Sequence, residues 1–121
     1  SRALDYLCTI QTPYLAVFCL NDKVNDGTDI SWIWDADFDV LAEAYQGDEL
    51  VVYGTRAEDM KLRLKYAGFD EDRITLAATM DQLVERIEGS EVPVCVLPNY
   101  TAMLEVRERL AAISGEHKFW E

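Results

Sequence analysis

The sequence has few of the residues that most often carry chemistry or cross-links. Among 121 residues there are one histidine, in a polar C-terminal stretch, and three cysteines, none of them in a C-x-x-C pair. A histidine-centred active site or a cysteine-based metal site within this chain is therefore not expected. Cys19 and Cys95 lie inside apolar runs, where cysteine acts as a small hydrophobe. An odd number of such cysteines is typical of a reducing compartment, so we expect a cytoplasmic location.

Positive charge is equally scarce. Eleven lysines and arginines face 23 aspartates and glutamates, a net charge of −12. Such a chain repels nucleic acids and anionic membrane surfaces, because it has too few cations to displace their counterions. No apolar run approaches the roughly 20 residues needed to cross a bilayer, and no signal peptide opens the chain. Residues 1–121 are predicted to form a single domain.

Apolar segments of two kinds alternate along the chain. Continuous apolar runs predict buried strands, and apolar residues at helical spacing predict the helices between them. Thr55 is expected to cap the helix at 56–68, Gly68 to end it, and Met60, Leu62, Leu64 and Ala67 to form its apolar side. The alternation predicts a Rossmann-like three-layer α/β domain with a mainly parallel sheet. The strands are expected at 14–20, 49–54, 73–77 and 92–97, and the helices at 3–10, 38–45, 56–68, 80–89 and 101–113.

Glycine-rich phosphate-binding motifs are absent. Neither Gly27 nor Gly54 belongs to a G-x-G-x-x-G or P-loop pattern, so no cofactor or metal is expected to bind this domain itself. In an open α/β sheet, ligands and partners gather at the carboxyl ends of the strands. The loop expected at 21–37, after the first strand, is by far the richest in polar and aromatic residues of those at that edge.

That acidic loop has two interpretations. Its Asn, Asp and Gly residues are good turn formers, and Trp32 and Trp34 would then simply pack over the edge of the sheet. Alternatively, one or two carboxylates hold a cation, either a metal or a histidine imidazolium on another chain. A carboxylate that accepts a hydrogen bond from Nδ1–H fixes the imidazole tautomer during nucleophilic catalysis. Tryptophan is enriched at interface hot spots, in keeping with a partner at this loop.

Two segments resemble a known family. DGTDISWIWD at 26–35 and LPNYTAMLEVRERL at 97–110 are similar to the C-terminal domain of the MurT-type branch of the Mur ligase family, a subunit of the glutamine-hydrolysing lipid II isoglutaminyl synthase. The resemblance runs over essentially the whole chain. It implies that N-terminal and central ATPase domains precede this one in a longer chain, and that ATP and Mg²⁺ serve the full-length enzyme. The isolated domain is then expected to be inactive.

The resemblance also implies a partner and a role for the acidic loop. A GatD-type glutaminase hydrolyses glutamine, and the ammonia amidates the D-glutamate α-carboxyl of the lipid II stem peptide. An aspartate of the MurT-type domain joins the cysteine and histidine of the glutaminase, and Asp29 and Asp35 are equal candidates for it. The remaining interface residues are expected to be Asp26, Gly27, Ser31, Trp32 and Trp34.

Two alternatives come from other functional classes. A Rossmann-like module with an acidic face can bind a basic protein without contributing to catalysis. A phosphate-accepting receiver domain shares the parallel α/β pattern, but it needs an aspartate at the end of a central strand and a lysine at a later strand end. The strand ends at Tyr53 and Leu97 offer neither, so this class is disfavoured.

Overall fold

The computed structural model of the chain describes residues 2–21 and 32–98. Within them, four parallel strands form one sheet in the order β3-β2-β1-β4. The strands are β1 Leu15–Cys19, β2 Leu50–Tyr53, β3 Ile74–Ala77 and β4 Val94–Pro98. The helices are α1 Arg2–Leu7, α2 Trp32–Asp35, α3 Phe38–Ala44, α4 Ala57–Ala67 and α5 Met80–Glu88, with a short 3₁₀ turn at Glu71–Arg73.

The sheet is covered on both faces, as the continuous apolar strands predict. Alternate residues of β1 and β2, such as Phe18 and Val52, pack with α1, α3 and α4 into one core cluster. The intervening residues, such as Val17 and Val51, pack on Leu83 of α5 on the other face. All five residues of β1 are buried. The prediction of a three-layer α/β domain with a parallel sheet is confirmed.

Local sequence signals explain most of the helix ends. Gly68 closes α4 with a left-handed φ of 118°, a conformation that glycine adopts without steric cost. The hydroxyl of Thr79 caps α5 by accepting from the Gln82 amide at 3.2 Å, and the Gln82 side chain accepts from the Ala78 amide at 2.8 Å. This reciprocal arrangement resembles a capping box.

Two expectations about α4 are wrong. Arg56, rather than Thr55, is the N-cap residue, and no side-chain hydrogen bond caps the helix, because Thr55 belongs to the turn that follows β2. Leu62 lies on the exposed side, whereas Arg63 is buried with Met60 and Leu64. The buried stripe therefore runs through positions 60, 63, 64 and 67, the spacing of one helical face. The helix expected at 101–113 lies outside the described residues.

The amino edge of the sheet is closed by its own side chains. The Tyr45 hydroxyl accepts from the Ala16 amide at 3.0 Å and faces the carbonyl oxygens of Tyr14 at 2.8 Å and Glu49 at 2.5 Å. Its single proton donates to one of these carbonyls at a time. Arg73 donates through Nη2 to the Gly47 carbonyl at 2.5 Å and through Nε to that of Asp48 at 3.3 Å. These contacts fasten β1, β2 and β3 where they begin.

Candidate functional site

The chain leaves β1 at the carboxyl edge through a fixed junction. Asn21 is 4% exposed, and its Oδ1 accepts from the Thr55 amide at 3.0 Å. The Leu20 carbonyl accepts from the Arg56 amide at 3.0 Å. Gly54 makes this close approach possible, because a Cβ there would overlap the Leu20 carbonyl and its φ is 113°. The acidic segment thus departs from a rigid point of the sheet.

The carboxyl edge also contains the point where the sheet changes direction. The chain runs from β1 outward through β2 to β3 and then crosses to β4 on the opposite side of β1. Ligands of open α/β sheets bind in the crevice at such a switch point. The residues that follow β1 and β4 in sequence, 22–31 and 99–101, lie outside the described residues.

The end of the acidic segment is a helix rather than a loop. The four residues Trp32–Asp35 form α2, a helix too short for its hydrophobic periodicity to stand out in the sequence. Ile33 is fully buried in the core cluster of α3 and α4. Trp34 is 49% exposed, and its ring lies 5.9 Å from that of Tyr66 on α4. Trp34 therefore packs beside a helix and keeps half of its surface exposed.

Arg63 of α4 connects α2 to the body of the domain. It is 7% exposed. Its Nε donates to the Ile33 carbonyl at 2.6 Å and its Nη2 to the Ala36 carbonyl at 2.9 Å. The guanidinium also lies over the rings of Trp34, at 5.6 Å, and Phe38, at 5.2 Å. One buried cation, together with the burial of Ile33, therefore holds α2 against α4.

The residues predicted to carry function are described to different extents. Asp26, Gly27, Asp29 and Ser31 lie outside the described residues. Trp32 and Asp35 are the first and last residues of α2, and only their main chain is described. Trp34 is exposed beside Tyr66, a residue that is itself 71% exposed. The roles of Asp29 and Asp35, and of the interface residues, remain predictions.

Sequence reasoning missed Arg63 and Tyr66. Arg63 falls on the stripe of Met60, Leu64 and Ala67, so its helical position indicates burial. A buried arginine requires hydrogen-bond acceptors, and its acceptors are 27 and 30 residues away in sequence. That distance hides the contact from any local pattern. For Tyr66, the exposed aromatic side chain gives no signal until Trp34 is placed beside it.

A cleft of about 310 Å³ lies at the opposite, amino edge. Its lining includes Glu49 and Arg86, which form an ion pair, and the second carboxylate oxygen of Glu49 accepts from the Thr75 hydroxyl. The Glu49 and Arg86 side chains of this cleft therefore bind each other. Because partners of parallel sheets gather at the carboxyl ends, the candidate site remains at the edge that carries α2.

The described residues contain neither a metal-binding cluster nor a membrane-spanning helix. In the described ranges, no three or more histidine, cysteine or acidic side chains are grouped so as to hold a metal ion. Within the same part of the chain, none of the helices has the length and apolar character needed to span a bilayer.

Comparison with known proteins identifies the family. Residues 1–103 match the family described as "MurT ligase C-terminal". The chain is 33% identical over 113 residues, 93% of its length, to the protein named "Lipid II isoglutaminyl synthase (glutamine-hydrolyzing) subunit MurT" of Streptococcus pneumoniae. It is 37% identical over 94 residues, 78% of its length, to the protein of the same name from Staphylococcus aureus.

The match covers only part of those relatives. The chain spans 25% of the Streptococcus pneumoniae protein and 21% of the Staphylococcus aureus protein. The family match nevertheless extends over most of this chain, including the whole sheet and the DGTDISWIWD segment. The chain therefore belongs to the MurT ligase C-terminal family, as its resemblance indicates.

Proposed function

We propose that this chain is the C-terminal domain of a lipid II isoglutaminyl synthase subunit, and that it docks a GatD-type glutaminase at its carboxyl edge. Ammonia from glutamine would amidate the D-glutamate α-carboxyl of the lipid II stem peptide. In the family scheme this carboxylate is activated as an acyl phosphate at the expense of ATP, and ammonia then displaces phosphate. ATP and Mg²⁺ are assigned to the rest of the full-length enzyme. The names of the two relatives, which describe the synthase as glutamine-hydrolysing, support glutamine as the nitrogen source.

The observation that carries the docking proposal is the placement of the DGTDISWIWD segment. Its last four residues form α2, which lies in the connection between the carboxyl end of β1 and α3. Trp34 of that helix is half exposed against Tyr66, an aromatic pair of the kind that anchors protein interfaces. The exposed aromatic pair therefore supports docking through the connection that leaves the carboxyl end of β1.

The chemical role proposed for the domain is to supply one carboxylate. A glutaminase of this kind attacks glutamine with a cysteine that a histidine activates. An aspartate that accepts from the imidazole Nδ1–H orients the ring and stabilises the imidazolium. Asp29 and Asp35 are the candidates, and the sequence favours neither.

Substitution of the two aspartates tests the role. In the full-length subunit, Asp29→Asn and Asp35→Asn are compared for binding to the glutaminase by calorimetry and for glutamate release. The correct substitution should leave the dissociation constant nearly unchanged and lower the rate of glutamine hydrolysis by about 10²–10⁴-fold. Asp37→Asn is the matched control, because Asp37 is an exposed neighbour that precedes α3 and makes no side-chain cap. Full activity in both test variants would contradict the shared-aspartate proposal.

The exposed Trp34 and Tyr66 pair also favours a second candidate, a docking module without a catalytic residue. The same experiment separates the two. Tight binding that depends on Trp34, combined with full glutaminase activity in Asp29→Asn and Asp35→Asn, would favour the module.

A further inference from the structure

The helix α2 does not support itself. It contains only four residues. A helix this short is unstable on its own, because the free-energy cost of nucleation exceeds what its few hydrogen bonds return. Its position therefore depends on tertiary contacts. Two are described in detail: the burial of Ile33 in the core and the hydrogen bonds from Arg63.

Arg63 binds both sides of the helix end. The Ile33 and Ala36 carbonyl oxygens lie three residues apart in sequence, and one guanidinium donates to both, at 2.6 Å and 2.9 Å. Carbonyls at the end of a helix lack intrahelical partners, so a cation there satisfies them. The rigid, planar fork of arginine fixes the spacing of two acceptors, whereas lysine presents a single point charge.

The rest of the environment keeps the guanidinium where it is. The rings of Trp34 and Phe38 lie within cation–π distance. Asp39 Oδ1 lies 3.6 Å from Nη1, but the Asp39 side chain is 76% exposed, so this ion pair is screened by water. The buried charge is therefore compensated largely by the two carbonyls and the two rings.

We propose that Arg63 is a positioning residue: it holds α2 in the orientation in which this helix engages the glutaminase and assists glutamine hydrolysis. This inference rests on the proposed function. Arg63 itself is buried under Trp34 and Phe38, and it acts through the helix that begins at Trp32 and ends at Asp35.

The chain contains a matched control for a purely structural role. Arg73 also donates to two main-chain carbonyls, those of Gly47 and Asp48, and lies 5.9 Å from the ring of Phe69. It does so at the amino edge, where its contacts are with Gly47, Asp48 and Phe69 rather than with α2. Replacement of either arginine by lysine removes the same kind of bidentate contact, but only Arg63 is attached to the acidic segment.

The experiment compares Arg63→Lys and Arg73→Lys in the full-length ligase subunit assembled with its glutaminase. Thermal unfolding reports folding. Lipid II amidation is then measured twice, with glutamine and with ammonium chloride as the nitrogen source, and glutamate release gives kcat and KM for glutamine hydrolysis at saturating subunit. Ammonium chloride bypasses the glutaminase, so a defect confined to the glutamine-driven reaction indicates a fault in engagement rather than in the ligase.

Arg63→Lys should lower kcat for glutamine hydrolysis by about tenfold or more, because small displacements of a catalytic group cost large factors in rate. Its KM for glutamine and its ammonium-driven rate should stay within about twofold of the wild type, and Arg73→Lys should preserve all three. If Arg63→Lys fails to fold, Arg63→Met makes the same test, because an apolar side chain of similar length often replaces a buried charge without loss of stability.

Three results would overturn the role of Arg63: equal effects of the two arginine substitutions, a parallel fall in the ammonium-driven rate, or wild-type glutamine hydrolysis in Arg63→Lys. A different result addresses the proposed function itself. If the wild-type subunit neither binds the glutaminase nor raises its activity, the docking proposal is wrong, and the inference about Arg63 falls with it.

Discussion

The two edges of the sheet use the same device in different surroundings. At each edge an arginine donates to two main-chain carbonyls and lies near an aromatic ring, Arg63 at the carboxyl edge and Arg73 at the amino edge. At the amino edge, the contacts near Arg73 join elements of the domain to one another: the Tyr45 hydroxyl binds the main chain of β1, and Glu49 forms an ion pair with Arg86 of α5. Around Arg63 they hold a short helix that exposes Trp34.

This difference suggests that the two sets of contacts serve different purposes, one the stability of the fold and the other the binding of a partner. Contacts at the amino edge join strand beginnings to one another, so their loss should affect folding more than binding. Contacts at the carboxyl edge fix a segment that departs from the sheet, so their loss should affect what the domain offers to a partner. Substitutions at the two edges can test this division.

The largest effect on stability is expected from Gly54→Ala, because Gly54 lies in the junction that joins β1 to β2 and not among the contacts that hold α2. The new methyl group would overlap the Leu20 carbonyl in a backbone with φ of 113°, so the free energy of unfolding should fall by about 3 kcal/mol or more. Urea denaturation measures the change. Gly89→Ala is the control, because Gly89 borders the amino-edge cleft with an ordinary φ of −83°. Equal losses at both glycines would show that the β1–β2 junction is not specially constrained.

A smaller effect is expected from Tyr45→Phe at the amino edge. The buried Ala16 amide loses its acceptor, which should cost about 2 kcal/mol, while binding of the glutaminase should be unchanged. Tyr66→Phe removes an exposed hydroxyl and should leave stability unaltered. A loss of glutaminase binding in Tyr45→Phe at temperatures where it is folded would break the division between the two edges.

Tyr45 also makes the free energy of unfolding depend on pH. Burial raises the pKa of Tyr45 from 10.0 to about 12. Because its folded-state pKa lies above the unfolded one, the stability it contributes is fully present below pH 10 and is lost as the pH rises toward 12. Denaturation across this range should show a weaker decline in Tyr45→Phe than in the wild type. Burial also raises the pKa of Tyr14, so part of the decline should persist.

The smallest effect is expected from Glu71→Gln. Lys65 Nζ lies 3.2 Å and Lys61 Nζ 3.8 Å from the carboxylate of Glu71, and the hydrogen bond and charge of Lys65 lower the pKa of this glutamate. The stabilisation is therefore present above the unfolded-state pKa and is lost as the pH falls through the lowered one. The Tm should drop slightly at neutral pH, and the difference should vanish in acid and in high salt. Asp72→Asn, at the next exposed position, serves as the control.

Much of the fold follows from patterns that are local in sequence. The continuous apolar runs predict all four strands, because a strand covered on both faces needs no polar alternation. Gly68 marks the end of α4 for the same kind of local reason. The errors at Thr55 and Leu62 have a different origin. Thr55 belongs to the turn after β2, and the inward-facing position of α4 is occupied by Arg63 rather than by Leu62.

The candidate site was predicted less completely than the sheet. The resemblance identifies the DGTDISWIWD segment, and its final residues form a helix that packs on α4. The contact that fixes this helix was not foreseen, because it joins Arg63 to carbonyls about thirty residues away. Main-chain acceptors are present at every residue, so sequence alone does not indicate which of them a distant arginine will bind.

The complete burial of Cys19 has a practical consequence. It lies in β1, between β2 and β4, with no exposed surface. A thiol reagent can reach it only when the sheet opens, so its labelling rate in native buffer reports global unfolding, whereas that of the partly exposed Cys8, just beyond α1, reports local motion. The two native cysteines thus serve as built-in probes of global and local unfolding, and the unfolding of variants at either edge can be compared without an added label site.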